Sequence, residues 1–464
     1  MSLMVSISGV RGIVGDSLTP EVIVRYASAF AEYCKRLTPT NPLVVLGRDG
    51  RVSGKIVGNL VSSTLLASGV DVLALGICPT PTIQLAVEKE GAAGGISVTA
   101  SHNPIQWNGL KFLGSSGMFL DGEENTQLQA IAAKQTFRFT SWDRTGKHRA
   151  DESWLEKHIG CVLAAPYIDP AITKKRAFKV VIDCVNGSGG LVVPKLLRLL
   201  GCTVIEMNCD ASGIFAHTPE PLPENLQDLC KRVRSEQADL GIAVDPDGDR
   251  LVFITEQGEP FVEEYTITAA VSYVLDREKA EGRGKSTVVT NLSTTRAVDD
   301  VATRYGARVI RTPVGEINVA RKMKEVGATI GGEGSGGVIY APVHLGRDAM
   351  AGIPLVLQFL AAHGGTLSEL KSSLPQYFIA KGKIELGTIT PDHAIAAVRK
   401  TLGPDAQINE EDGLRIDYPD HWIHLRKSNT EPIVRVIAEA KTASTARSLV
   451  EQYRTLLSRN SGPL

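Results

Sequence analysis

The chain has no excess of either charge: 50 Lys and Arg stand against 51 Asp and Glu, a formal net charge of -1. Nucleic-acid binders show a basic surplus or a Lys/Arg stripe, and neither is present, so nucleic acid is excluded as a partner. An anionic ligand would have to be met by a few placed cations. Paired cysteines are missing too. Cys34, Cys78, Cys161, Cys184, Cys202, Cys209 and Cys230 are odd in number, scattered and without a C-x-x-C. That argues against a disulfide framework and for a reducing compartment. No apolar run approaches the ~20 residues that span a bilayer. Met1–Val5 has no basic stretch leading into an apolar core, so neither a membrane span nor a signal peptide is expected, and the expected location is cytoplasmic.

What remains is an ordinary globular composition, 43% apolar and 22% charged, in a chain of 464 residues that is too long for one core. The dominant pattern is strand, glycine-containing turn, helix, strand. It runs through Leu43–Leu46, Gly47–Gly50, Lys55–Ser68 and Asp71–Leu75, and again through Lys179–Asp183, Asn186–Gly190, Leu191–Leu200 and Thr203–Met207. A third pass covers Thr287–Thr290, Thr295–Tyr305 and Ala307–Arg311. Three such units argue for parallel sheets covered by helices. The C-terminal stretch differs: Leu414–Tyr418, His421–Leu425 and Ile433–Ala438 read as antiparallel strands before a helix over Ala443–Leu457, an α+β unit. Four domains are expected, over 1–152, 153–257, 258–370 and 371–464.

Four segments carry chemistry. In Ser97-Val-Thr-Ala-Ser-His-Asn-Pro104, followed by Asn108-Gly-Leu-Lys-Phe112, Pro104 keeps Asn103 out of the helical region, which places Ser101 and His102 on an exposed turn. Such a serine becomes a nucleophile when a base, a metal or a preset charge assists it, though all four residue types also form plain turns. In Ile242-Ala-Val-Asp-Pro-Asp-Gly-Asp-Arg250, Asp245, Asp247 and Asp249 alternate, so an extended chain would put them on one face around one cation. Apolar strands on both sides would bury the triplet, which disfavours a merely solvated turn. The later ligands and terminal Glu of an EF-hand are absent.

Arg426-Lys-Ser-Asn-Thr-Glu-Pro432 offers Arg426 with Ser428, Asn429 and Thr430 as donors that could grip a phosphate, or simply a polar hairpin loop. Ile330-Gly-Gly-Glu-Gly-Ser-Gly-Gly337 lets backbone approach a ligand and carries only Glu333 and Ser335, suited to sugar hydroxyls. It is neither a P-loop nor G-x-G-x-x-G. Arg11, in Ser8-Gly-Val-Arg-Gly12, is a further candidate phosphate contact, whereas Arg48 and Arg51 read equally well as plain surface turns.

Taken in order, these motifs resemble the α-D-phosphohexomutase family, the phosphoglucomutases, phosphomannomutases and phosphoglucosamine mutases, from Ser8 to Arg435. The resemblance implies three related mixed-sheet α/β domains plus a C-terminal α+β domain around a central cleft. It implies a phosphorylated Ser101, and one Mg²⁺ per chain on Asp245, Asp247, Asp249 and Ser101. His102, Lys111 and Arg250 would act as acid–base, charge-stabilising or phosphate groups, with Arg11 a phosphate contact. Glu333 and Ser335 would bind sugar hydroxyls; Arg426, Ser428, Asn429 and Thr430 would clamp the non-reacting phosphate. The implied activity interconverts hexose 1- and 6-phosphates, with a hexose 1,6-bisphosphate as intermediate and activator, in a monomer or homodimer whose partners are small sugar phosphates. Gly334 stands where some relatives carry Met, Gln or Glu, Gly337 where several carry His, and Glu316 where some bacterial relatives carry His. Glucose, mannose and glucosamine phosphates therefore all stay open. A metal-dependent sugar-phosphate phosphatase and a catalytically inactive sugar-phosphate-binding protein are the competing readings.

Overall fold

The computed structural model describes residues 3–7, 9–385, 390–427 and 433–459. Three sheets repeat one plan. In the second, the order is Leu251–Thr255, Leu240–Val244, Lys179–Asp183, Thr203–Met207. The last three strands are parallel and the edge strand Leu251–Thr255 is antiparallel. The third sheet has the same order and sense: Gly337–Tyr340, Ile330–Glu333, Thr287–Asn291, Arg308–Thr312. The first contains it as Trp107–Gly114, Gly94–Val98, Leu43–Arg48, Asp71–Ile77, extended on one side by Gly9–Ile13 and Met4–Ser6 and on the other by His148–Ala150. The parallel sheets expected from the sequence thus each carry an antiparallel strand beside the parallel set, as the hairpins require. The fourth sheet, Phe378–Glu385, Ile433–Ala440, His421–Lys427, Leu414–Asp417 and Gln407–Asn409, is antiparallel throughout.

The repeated plan places the first three motifs at equivalent points. Each of these lies in the hairpin that joins a strand to its antiparallel neighbour, residues 99–106, 245–250 and 334–336; the fourth begins at Arg426 and Lys427, the end of the strand His421–Lys427, and continues outside the described residues. Two expected helices start later than the sequence pattern suggests. Pro194, which lacks an N–H, fits only the first turn, so the helix is Val193–Leu199 behind a short 3₁₀ turn. Ala297–Arg304 begins after Thr295 and Arg296 because their N–H groups bond to the Glu264 and Glu439 carboxylates, 3.0 and 2.9 Å away.

One apolar core runs from Ile159 to Leu374 and is shared by the second and third sheets. Another ties the first to the third through Val45, Ile83, Val289 and Met323. The fourth domain has its own core around Ile416, Ile423, Val436 and Leu457. It meets the third across a polar seam: Arg296 reaches Asp417 at 3.2 Å, Ser293 meets His424 at 2.9 Å and Asp412 accepts from the Val314 N–H at 2.8 Å. Among the described residues no single helix is long and apolar enough to cross a membrane.

Candidate active site

Ser101 lies in the left-handed region, φ 51°, and is only 3% exposed, so the expected exposed turn is instead drawn into the protein. The cause is Arg51, a residue that read as a plain surface turn and is in fact fully buried. Its guanidinium donates to the carbonyls of Ser101 and Asn103 at 2.6 Å, Pro104 at 2.7 Å and Trp107 at 2.9 Å. Its Nε donates to Asp49 Oδ2 at 3.1 Å, and Asp49 in turn accepts from Thr99 Oγ1 at 2.6 Å. Thr99 Oγ1 then accepts the Ser101 N–H at 2.8 Å. The serine loop is thereby wound around one buried cation.

Ser101 Oγ points at the acidic triplet, 3.2 Å from Asp245 Oδ2, with His102 Nδ1 at 3.3 Å on its other side. The aspartates converge through a tight turn rather than an extended chain. Gly248 takes φ 72° and its N–H bonds back to the Asp245 carbonyl at 3.1 Å. One carboxylate oxygen from each of Asp245, Asp247 and Asp249 lies within 4.8 Å of the others, and all three side chains are buried. Asp245 Oδ1 accepts the N–H groups of Asp249 and Arg250 at 3.1 and 3.0 Å. Asp247 Oδ2 accepts from Thr80 Oγ1 at 2.7 Å and Lys111 Nζ at 2.6 Å. Asp247 Oδ1 and Asp249 Oδ1 are buried without a donor. Burial, then the charges of Asp249 and Asp247, push the Asp245 carboxyl well above the usual range. This donor set, three hard oxygens with two left unsatisfied, fits a divalent cation such as Mg²⁺.

Lys111 is buried 3.2 Å from Asp249 as well, and although burial opposes its charge, Asp247 and Asp249 win and hold its pKa above the ordinary lysine value. It is therefore a fixed positive charge. His102 behaves oppositely: burial, with Arg250 and Arg11, pushes it down to about 2, so its imidazole is neutral at ordinary pH. Arg250 Nη1 is 3.1 Å from Glu220 and Arg11 Nη1 3.4 Å from Asn103; the Nε of each is buried without an acceptor.

These groups open onto one cavity of about 620 Å³, lined by Ser101, Lys111, Arg250, Glu333, Ser335 and Arg426 among others. Arg11, His102 and Arg435 line it too. Ser428, Asn429 and Thr430 lie outside the described residues. Arg426 Nε sits 2.8 Å from Asp412 on the seam between the third and fourth domains. Glu333 is already engaged, accepting from Asn291 Nδ2 at 2.7 Å, the Gly315 N–H at 3.0 Å and Arg347 Nη1 at 2.8 Å.

Arg347 is the residue that sequence reasoning missed. It links a loop, a helix start and a strand end, reaching Asp249 at 2.7 Å, Glu316 at 3.0 Å and Glu333 at 2.8 Å. A Cβ on Gly337 would fall 2.2 Å from its Cδ, so the glycine makes room for this arginine. Burial opposes its charge, but Asp249, Glu333 and Glu316 outweigh it and hold Arg347 firmly protonated.

Comparison with known proteins places this geometry. Four domain families described as phosphoglucomutase/phosphomannomutase match in order: alpha/beta/alpha domain I over 4–139, domain II over 158–258, domain III over 263–378 and the C-terminal domain over 385–456. The architecture is that of the α-D-phosphohexomutases, isomerases that act as intramolecular phosphotransferases. The phosphoglucomutase/phosphomannomutase of Thermococcus kodakarensis is 39% identical over 446 residues, 96% of each chain. The phosphoglucosamine/phosphogalactosamine mutase of Sulfurisphaera tokodaii is 30% identical over 464 residues, covering 98% of this chain and 99% of that one. Among solved structures, a phosphoglucomutase/phosphomannomutase family protein from Burkholderia thailandensis superposes with a TM-score of 0.84 at 26% identity, over 98% of both chains. An Aspergillus fumigatus N-acetylphosphoglucosamine mutase, solved in complex with GlcNAc-6P and magnesium, shares the fold at TM-score 0.62 and 14% identity over 100% of this chain and 96% of that one. This chain belongs to the phosphoglucomutase/phosphomannomutase family.

Proposed function

We propose that the protein interconverts hexose 1-phosphates and 6-phosphates through a phosphoryl group carried on Ser101, with a hexose 1,6-bisphosphate as intermediate and activator. The observation that carries this reading is the placement of Ser101 Oγ 3.2 Å from Asp245, in the same cavity as Glu333, Ser335 and Arg426. A nucleophile and a distant cationic anchor facing one sugar-sized space suit a molecule with a phosphate at each end. Asp245, Asp247 and Asp249, with the phosphoryl on Ser101, would hold Mg²⁺, which when bound neutralises charge on the phosphoryl oxygens.

The side chains of the protein supply the rest. As a hexose hydroxyl attacks phosphorus, the bond to Ser101 Oγ breaks, the proton the hydroxyl loses ends on Ser101 Oγ, and the positive charge of Lys111 offsets the negative charge that develops on the serine oxygen in between. The reverse step, with the sugar turned end for end, restores phosphoserine from the other phosphate. His102, with Nδ1 3.3 Å from Ser101 Oγ, is the hydrogen-bond partner of the serine. Arg11 and Arg250 hold the transferring phosphate, and Arg426 with Ser428, Asn429 and Thr430 holds the one at rest. Positioning and electrostatics, not covalent help beyond the serine, provide the rate. The test is Ser101→Ala, assayed for 1-to-6 isomerisation and for free phosphate in parallel. Loss of isomerisation with the fold intact is expected; retained isomerisation removes the phosphoserine route, and phosphate release by the parent enzyme without isomerisation identifies a phosphatase instead.

A further inference from the structure

The sugar-binding loop is short of side chains, yet the space beside Gly334 is filled. A Cβ built on Gly334 would lie 1.9 Å from Glu264 Oε2 and 2.3 Å from both its Cδ and its Oε1. The Glu264 carboxyl, from the first turn of the helix Glu263–Ala280, thus occupies the volume that a side chain at position 334 would take. It lines the same cavity as Ser101, Glu333 and Ser335. Its orientation is fixed from behind: Oε2 accepts the Thr295 N–H at 3.0 Å, while no donor among the described residues reaches Oε1. The neighbouring Thr294 Oγ1 accepts the Gly334 N–H at 3.1 Å and donates to Asn291 Oδ1 at 2.9 Å. Asn291 also holds Glu333. One rigid loop, 291–295, therefore sets Glu264 and Glu333 at a fixed relation to each other.

Resting on the mutase reading above, we propose that Glu264 is the sugar-specificity residue of this enzyme, its carboxyl reading the C2 substituent of the hexose beside the hydroxyls held by Glu333 and Ser335. A carboxyl there favours a small hydrogen-bond donor, a hydroxyl or an amine, and leaves no room for an N-acyl group. Burial holds this carboxyl well above the ordinary carboxylate range, so it meets a neutral sugar as an acid that can both donate and accept. A protonated amine would draw it into the ionised form. The two donors can be told apart, because glutamine mimics the neutral acid and cannot mimic the carboxylate.

The experiment measures kcat/KM of the parent enzyme, Glu264→Gln and Glu264→Ala on glucose, mannose, glucosamine and N-acetylglucosamine 1-phosphates. Glu264→Ala is expected to change the ratio of donor-bearing to N-acetylated substrate by about 10-fold or more, the scale of a lost hydrogen bond. Glu264→Gln should spare glucose or mannose 1-phosphate if the natural donor is a hydroxyl, and depress glucosamine 1-phosphate selectively if it is an amine. Gly334→Ala, whose new methyl must displace the same carboxyl, should move the ratios in the same direction and stands in if the Glu264 variants do not fold. Ratios unchanged within about threefold in all folded variants overturn the proposal. Failure of the parent enzyme to isomerise any of the four sugars would count against the mutase reading itself, and so is distinguishable.

Discussion

Replacing Arg51 tests whether the serine loop is shaped by one buried cation. Arginine serves four carbonyls spread from Ser101 to Trp107 and the Asp49 carboxylate at once. Lysine keeps the charge but presents a single point with three donors, so at least two carbonyls lose their partner. Each buried acceptor left bare costs about 1–3 kcal/mol, which puts Arg51→Lys at about 2–4 kcal/mol after relaxation. Arg51→Met also strands Asp49. Burial already raises that carboxyl above its ordinary value despite Arg51 beside it, so it would take up a proton rather than stay charged. That caps the cost near the lower end of a broken buried pair, about 3 kcal/mol for this term. For a unit of 150–250 residues, 3 kcal/mol corresponds to about 6–12 °C in Tm. Differential scanning calorimetry with Mg²⁺ titration and steady-state kinetics would measure both consequences. The expected result for Arg51→Lys is a lowered Tm, kcat reduced by about 10-fold or more, and, in the unphosphorylated enzyme, Mg²⁺ affinity close to that of the parent, since Asp245, Asp247 and Asp249 do not touch Arg51. Parent stability together with parent kcat in Arg51→Lys would refute the argument.

Chelation of divalent cations should abolish turnover and lower Tm, and Asp247→Asn should weaken activation by Mg²⁺ by at least about 100-fold, read from the metal dependence of the rate. Arg347→Lys should lower kcat/KM by about 10-fold or more, because one ammonium cannot span Asp249, Glu316 and Glu333; an unchanged value would make the three-way pairing incidental. Acid should loosen the fourth domain. Burial, then Arg426 and Arg415 against the opposing Asp412 carbonyl, pushes His424 down to about 4, against an ordinary value near 6.5. A depressed folded value means its contribution is present in full above pH 6.5 and is lost as pH falls toward 4, about 3 kcal/mol in all. Thermal melts across that window should show the loss, and His424→Asn should flatten it.

The strands Lys179–Asp183 and Thr203–Met207 are legible to the residue, because short β-branched runs between glycine turns are local signals. The same holds for the order of the four motifs and for the acidic triplet, whose convergence the spacing announces even though a turn, not an extended strand, delivers it. Arg51 and Arg347 were not legible. Their meaning lies in partners about 50 and 98 positions away, Ser101 and Asp249, and no periodicity encodes such pairs. A faint signal did exist for Arg347: glycine at 337 removes a side chain, and some other group has to fill the space. The burial of Ser101 was missed for the same reason, since the cation that draws its loop inward comes from a different strand end.

The most direct test of the central claim is to incubate the purified enzyme with Mg²⁺ and glucose 1,6-bisphosphate, digest it, and locate added phosphate by mass spectrometry. One phosphoryl group on Ser101, removed again when excess hexose monophosphate is supplied, is the predicted result. An enzyme that isomerises hexose phosphates while Ser101 stays unmodified throughout would contradict it.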